Sequence, residues 1–146
     1  MFKKIDTEFN SKIITSSLLS EDGRILIVKF KGEHRIGSEG NPDSLYMFSE
    51  LLKLYFIFEP LLVIVDLSEL NYKWGNTILK ITNFFNEIGR DTDEKNKLVI
   101  IVYSVQNKEP LIQLNSLLQE GRREFCENIT KAESLAKIYV EKYDNI

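Results

Sequence analysis

The sequence predicts a single α/β domain whose mixed β-sheet begins with an antiparallel hairpin and continues through crossover helices. Two apolar runs, Leu61 to Val65 and Leu98 to Val102, have the pattern of strands that are covered on both faces. Stretches with helical spacing of apolar residues flank both runs. A chain of 146 residues has room for one hydrophobic core. We therefore expect one domain over residues 1–146.

The first part of the chain predicts two strands and a helix. Ile13 to Leu19 and Ile25 to Phe30 are rich in β-branched and apolar residues, and a hairpin signal, Glu21-Asp22-Gly23, separates them. Asn41-Pro42 predicts an N-cap followed by the first helical residue, and Pro60 ends that helix. The residues expected on its buried face are Leu45, Phe48, Leu52 and Tyr55.

The second part of the chain alternates helices with the two buried strands. One helix is expected to end at Gly89, and a charged loop over 90–97 leads to the second buried strand. The face of that helix is formed by Trp74, Ile78, Ile81, Phe85 and Ile88. Another helix begins at Glu109-Pro110 and ends near Gly121.

The end of the chain predicts a short edge strand and a terminal helix. The strand falls within Arg123 to Ile129. A capping box, Thr130 to Glu133, starts the helix, and Leu135, Ile138 and Tyr139 are expected to face the core.

Composition excludes several classes of function. The 19 basic and 22 acidic residues give a net charge of −3, which argues against nucleic acid as a partner. The single cysteine, Cys126, cannot form an internal disulfide, and one histidine is too few for a structural zinc site. We expect no metal and no cofactor.

The sequence contains neither a signal-peptide pattern nor an apolar run approaching the roughly 18 residues of a membrane span. We expect no membrane span and a cytoplasmic location.

One polar, glycine-containing loop precedes the first helix and carries His34, Arg35, Gly37 and Gly40. A helix N-terminus with cationic side chains can hold a phosphate or carboxylate. Because the spacing matches no phosphate-binding motif, we favour a solvated loop with capping glycines and keep an anion site as the alternative.

The segment from Asp66 to Thr77 follows the carboxyl end of a buried strand, where binding sites form in open α/β sheets. Asp66 is expected to form the turn, with acid–base chemistry as the alternative. Trp74 has helical spacing, so we favour a place in the core. Ser68 and Thr77 are candidate phosphoacceptors, although capping or solvent exposure is the favoured role for both.

Three parts of the chain resemble the STAS domain, the module of sulfate transporters and anti-sigma-factor antagonists. Lys29-Phe30-Lys31-Gly32-Glu33 is similar to its strand and G-E loop, and the run LLVIVDLSEL from Leu61 is similar to its central strand. Phe125 to Tyr139 is similar to its closing strand and helix. The resemblance implies a STAS-like, or SpoIIAA-like, architecture.

The resemblance also implies a function. Phosphorylated antagonists carry a D-S-S-G turn whose serine accepts phosphate, whereas this chain has Trp74-Gly75-Asn76-Thr77 there. We therefore expect a non-catalytic bacterial signalling module without the classical serine switch. Its partner would be a regulatory protein of the kinase or sigma-regulator type. The expected docking surface comprises Ser68, Asn71, Tyr72, Lys73, Trp74, Gly75, Asn76 and Thr77.

Two alternatives remain open at this point. One is an enzyme or small-ligand binder that uses His34, Arg35 and Asp66. The other is a self-assembling domain, a homodimer for example, whose hairpin edge pairs with a second copy. Catalysis is not expected, because the only histidine and the only cysteine lie far from Asp66 in the sequence.

Overall fold

The computed structural model describes residues 1–146 and contains six strands and six α-helices. The strands are β1 (Ile14–Leu19), β2 (Ile25–Glu33), β3 (Leu62–Asp66), β4 (Leu70–Asn71), β5 (Leu98–Val102) and β6 (Arg122–Cys126). The helices are α1 (Asn41–Phe58), α2 (Leu79–Thr82), α3 (Phe84–Ile88), α4 (Thr92–Lys95), α5 (Lys108–Asn115) and α6 (Ile129–Asp144). Short 3₁₀ turns, Gly37–Gly40 and Asn76–Ile78, precede α1 and α2.

The sheet has the order β1-β2-β3-β5-β6, with the short β4 paired to the end of β2. The β1–β2 pair is antiparallel, and all other pairs are parallel. This is the mixed α/β fold that the sequence predicts. Because β2, β3 and β5 are parallel neighbours, the segments that leave their carboxyl ends emerge at one edge of the sheet.

Helices cover the two faces of the sheet unequally. One face and the helices α1, α2, α3 and α5 form a cluster of 19 buried apolar residues that includes Val28, Val65 and Ile101. The opposite face forms a cluster of seven, in which α6 contributes Ala132 and Ala136. Since α6 alone packs on the second face, the edge strand β1 and its neighbour β2 are less well covered there.

The buried face of α1 agrees only in part with the predicted one. Tyr55 is buried as predicted, and Phe48 and Leu52 are partly buried against the core. Leu45 is exposed instead, and Met47 and Leu51 are buried. Apolar residues occur almost all round this helix, so their spacing alone does not fix its orientation. The orientation of α1 is set by its packing against the sheet.

The helix predicted to reach Gly89 is interrupted in the structure. Asn83 has φ −113° and ψ 36°, outside the helical region, and separates α2 from α3. Its side-chain oxygen accepts a hydrogen bond from the Arg123 guanidinium at 2.6 Å. The residue at the interruption thus contacts one that lies 40 positions away, which local periodicity cannot reveal.

The last two helices are also corrected in detail. The α5 helix ends at Asn115, before the predicted Gly121. The cap of α6 is Asn128, whose side chain accepts a hydrogen bond from the Lys131 N–H at 2.9 Å, and Thr130 lies inside the helix. Ala132 and Ala136 are fully buried against the sheet. The predicted Leu135 and Tyr139 pack against this cluster, whereas Ile138 is exposed.

Candidate functional site

Two loops lie side by side at the carboxyl edge of the sheet. The Gly32 N–H donates to the Glu69 carbonyl at 3.2 Å, the His34 N–H to Asn71 at 2.9 Å, and the Gly37 N–H to Trp74 at 3.2 Å. These bonds extend the β2–β4 pairing beyond the strands. The structure thus joins the two segments that the sequence singles out separately. We call residues 34–40 and 66–77 together the carboxyl-edge surface.

His34 is buried beneath this surface, with 2% of its area exposed. Its Nδ1 lies 3.0 Å from the Arg35 carbonyl, and its Nε2 lies 2.6 Å from the Ser44 hydroxyl. A carbonyl only accepts, so Nδ1 donates and the neutral ring accepts from Ser44 through Nε2. The ring also packs edge-on against Tyr72, with 5.3 Å between centroids. The expectation of a solvated His34 is wrong, because β4 and α1 enclose the ring.

The side chain of Arg35 is held by the buried carboxylate of Asp43. This carboxylate accepts hydrogen bonds from the Arg35 backbone N–H at 2.9 Å and from its Nε at 3.0 Å. The Ser11 hydroxyl also donates to Asp43, at 2.6 Å. Burial alone would raise the pKa of Asp43, but the hydrogen bonds from Arg35 and Ser11 hold that pKa below its ordinary value. Arg35 is thus paired within the protein.

Gly40 permits this packing. A Cβ atom there would lie 2.6 Å from Cε1 of His34, closer than side-chain contacts allow. The glycine therefore lets the start of α1 approach the histidine ring. Together with the Arg35–Asp43 pair, Gly40 fixes the course of this loop against α1.

Asp66 forms the turn that the sequence predicts. Its carboxylate accepts a hydrogen bond from the Ser68 N–H at 2.9 Å. It also borders an open groove of about 420 Å³, shared with Lys29 and Glu133, that His34 does not line. None of the larger cavities is lined by both His34 and Asp66.

Trp74 lies on the outside of the protein, with 60% of its area exposed, so the expectation of a core position is wrong. The residue precedes the Asn76–Ile78 turn and is not part of a helix. Its indole covers Gly37, where a Cβ would lie 2.6 Å from Cη2. Gly37 has φ +60°, a conformation that also favours glycine. The Trp74 side chain is therefore exposed on one side and packs against Gly37 on the other.

The residues of the predicted docking surface divide into three groups. Tyr72 and Gly75 are buried, and the Tyr72 hydroxyl donates to the Gly75 carbonyl at 2.8 Å, so these two residues support the surface from inside. Ser68 and Thr77 are half-buried, and the Thr77 hydroxyl donates to the Asn41 side chain at 3.2 Å. The exposed members are Asn71, Lys73, Trp74 and Asn76.

The sequence did not point to two exposed apolar residues here, one within this surface and one beside it. Ile36 is 43% exposed beside Gly37, and Leu45 is 49% exposed near the start of α1. With Trp74 they place three large apolar side chains in contact with water on adjoining segments. The helical spacing of Leu45 predicts a place on the buried face of α1, which is wrong.

Asn107 is another residue that sequence reasoning missed. It is fully buried, and its amide donates to the Leu67 and Leu70 carbonyls at 2.8 and 2.9 Å. Its oxygen accepts from the Ser104 N–H at 2.7 Å. One side chain from the loop after β5 therefore fixes the course of the loop after β3. The only sequence feature that indicates this role of Asn107 is a polar Ser-x-x-Asn turn directly after a buried strand.

None of the helices is both long and apolar enough to cross a membrane. No group of three or more His, Cys, Asp or Glu side chains is arranged to hold a metal ion.

Comparison with solved structures identifies the class of fold. The chain is similar to an anti-sigma factor antagonist from Mycobacterium paratuberculosis, with a TM-score of 0.59 and 12% sequence identity over 86% of this chain and 95% of the other. No protein-family model and no curated protein matches the sequence. At this identity the similarity concerns the fold, and it confirms the STAS-like architecture that the sequence motifs predict.

Two further structures align less closely. An uncharacterised DUF3478-family protein with a SpoIIAA-like fold, from Shewanella loihica, has a TM-score of 0.47 at 17% identity, over 85% of this chain and 93% of the other. A STAS domain from Rhodobacter sphaeroides, an anti-sigma factor antagonist, has a TM-score of 0.34 at 14% identity, over 80% and 85%.

The buried His34 predicts a specific pH dependence of stability. Burial holds its pKa below the ordinary value of 6.5, so the unfolded chain binds a proton that the folded protein does not. Stability should fall as the pH drops below 6.5, by up to about 1.4 kcal/mol per pH unit. The neighbouring Asp43 has a lowered pKa and titrates below this window. Urea unfolding at a series of pH values measures the effect.

The control is His34→Gln, which cannot titrate and should have a flatter stability profile in that window. An NMR titration of the native protein is the second measurement, because burial lowers the pKa of His34 and the shifts of its ring protons should therefore have their midpoint below pH 6.5. An ordinary titration curve for His34 would contradict the prediction.

The contact between Trp74 and Gly37 predicts a fluorescence change. Gly37→Ala should displace the indole and alter its emission, which is unambiguous because the chain has one tryptophan. Gly23→Ala is a matched control, since Gly23 also has positive φ but has no atom within 4 Å of its Cβ position. Both variants should lose about 1 kcal/mol of stability from backbone strain. Equal emission spectra for the two variants would show that Trp74 does not rest on Gly37.

Proposed function

We propose that this protein is a non-catalytic regulatory module that acts by binding another protein through the carboxyl-edge surface. The partner is a bacterial regulator of the kinase or sigma-regulator type, and the setting is the cytoplasm. The fold similarity to an anti-sigma factor antagonist supports the class of function. The observation that carries the proposal is the exposed, supported position of Trp74.

An exposed tryptophan on a rigid base is suited to anchor a protein interface. Tryptophan is enriched among the residues that contribute most to binding, and it loses little conformational freedom on association. Trp74 is held by the Gly37 contact and by the backbone bond from the Gly37 N–H to its carbonyl. Ile36 and Leu45 add apolar area nearby, and Asn71, Lys73 and Asn76 supply polar groups.

The surroundings of the polar residues support a binding role over catalysis. A general base must reach a proton on a substrate. Both ring nitrogens of His34 already contact protein atoms, and the Ser44 hydroxyl beside it is fully buried. Asp66 is engaged by its own turn. The groups that a hydrolytic or acid–base mechanism would use are therefore part of the scaffold.

The residues at the start of α2 support a module without the serine switch. Where phosphorylated antagonists present a serine, this chain has Trp74 to Thr77, and no serine occurs in that stretch. Thr77 is half-buried and its hydroxyl contacts Asn41, while Ser68 is half-buried in the Asp66 turn. Partner binding would then depend on the amount of each protein rather than on phosphorylation of this one.

Trp74→Ala should abolish partner binding and leave the fold intact. The measurement is affinity capture from extract of the native organism with immobilised wild-type and variant protein, followed by mass spectrometry. Tyr143→Ala is the control, because Tyr143 is similarly exposed, at 53%, near the end of α6. A kinase or sigma-regulator homologue should be retained by the wild type and by Tyr143→Ala, and lost with Trp74→Ala.

Two results would contradict the proposal. One is capture of the same partner proteins, apart from copies of this chain itself, by all three baits, which would place the binding surface elsewhere. The other is recovery of nothing except copies of this chain, which would indicate self-assembly as its main interaction.

The native protein should gain no phosphoryl group when it is incubated with the captured partner and MgATP. Intact-mass spectrometry measures this directly. If a gain appears, Ser68→Ala and Thr77→Val identify the acceptor, since each removes one hydroxyl with little change in volume. Loss of the gain in either variant would show that a displaced switch operates at that residue.

A further inference from the structure

Strand β1 is an open edge of the sheet. The Ser20 N–H donates to the Ile25 carbonyl at 2.9 Å, which makes this a hydrogen-bonded antiparallel pair. Such pairs alternate along an antiparallel ladder, so the backbone groups of Ser16 and Leu18 also point toward β2. The N–H and C=O groups of Thr15, Ser17 and Leu19 therefore point away from the sheet and have no strand beside them.

This edge lacks the features that normally prevent strand pairing. The sequence of β1, ITSSLL, contains no charge and no proline, and its register with β2 is continuous without a bulge. The opposite edge strand, β6, differs because it carries Arg122, Arg123 and Glu124. Only one of the two edges is therefore protected by charge.

The side chains of β1 are also poorly covered. Ile14 and Leu18 lie on the same face of the sheet as Ile27, because Leu18 stands opposite Ile27 in the register. Their exposed fractions are 65% and 69%. This is the face on which only α6 packs, so no helix of the same chain covers the two side chains.

We propose that β1 pairs antiparallel with β1 of a second copy, which joins two sheets into one across a two-fold axis at Ser16. Pairing about Ser16 sets Ile14 opposite Leu18 of the second copy, and Leu18 opposite its Ile14. These are non-hydrogen-bonded pairs, in which side chains approach most closely. The outward N–H and C=O groups of Thr15 in one copy then pair with those of Ser17 in the other copy. The same strand of each copy thus forms one side of a self-complementary contact.

Charges at the two ends of the strand favour a second copy over an unrelated strand. Lys12 precedes β1, and Glu21 and Asp22 form the turn that follows it, and all three side chains are exposed. The two-fold axis brings Lys12 of each copy beside the acidic turn of the other. Opposite charges therefore flank the apolar centre on both sides.

The first test is the oligomeric state by light scattering over a concentration series that extends into the high micromolar range. The mass should rise from 17.0 kDa toward twice that value for the wild type. Leu18→Lys should abolish the increase, because it sets a charge against Ile14 of the second copy. Leu117→Lys is the matched control, since Leu117 is 78% exposed outside β1, and this variant should still dimerise.

The second test reports the register. In a Cys126→Ser background, Ser16→Cys should form an intermolecular disulfide, because the two-fold axis brings the two Ser16 positions together. Ser17→Cys should not, since it would lie opposite Thr15 of the other copy. A monomer at all concentrations, a dimer that survives Leu18→Lys, or cross-linking through Ser17→Cys alone would each overturn the proposal.

The dimer is independent of the proposed function. Trp74→Ala leaves β1 unchanged and should dimerise like the wild type, so the failure of one proposal does not imply the failure of the other.

Discussion

The pairing of the loop after β2 with the segment after β3 is the constraint on which the candidate site depends. Three backbone hydrogen bonds, ending with that from Gly37 to Trp74, extend the parallel order of the sheet into its loops. Parallel strands ordinarily end in separate connections, so loop positions are set individually. Here the bonds hold both loops in one arrangement, so the exposed indole of Trp74 packs against a fixed segment at Gly37.

Buried polar groups reinforce this constraint. Asn107 fixes one loop through two carbonyls, and Asp43 fixes the other through Arg35 and Ser11. A buried carboxylate or amide is costly unless its hydrogen bonds are made, so these groups stabilise one loop arrangement over others. Polar residues that in isolation suggest acid–base chemistry are used here for positioning. The hydrogen bonds of these buried groups therefore hold the two loops, and the exposed residues between them, in one arrangement.

The unequal covering of the sheet has a further consequence. Four helices bury one face, whereas α6 alone packs on the other, through Ala132 and Ala136. A single helix cannot cover five strands, since strands are spaced about 4.8 Å apart and a helix is about 10 Å wide. The outermost strand, β1, is therefore left with exposed Ile14 and Leu18 and a free edge. The two proposed binding regions, the carboxyl-edge surface and β1, therefore lie on different elements.

The sequence by itself determined the fold class. The apolar runs of β3 and β5, the hairpin before them and the helical stretches between them define the mixed sheet, because each pattern reflects burial within a few residues. The motif LLVIVDLSEL and its neighbours also indicated the STAS-like architecture, and Asp66 forms its turn as expected.

Only the tertiary structure decided how the site is built. The burial of His34 depends on Ser44 and Tyr72, the exposure of Trp74 on Gly37, and the break at Asn83 on Arg123. Each of these contacts joins residues ten to forty positions apart. Local periodicity reports which residues are apolar, but it does not say which loop lies beneath them, since the sheet brings distant segments together. For this reason the sequence-based expectations placed Trp74 in the core and His34 in solvent, whereas the structure exposes the first and buries the second.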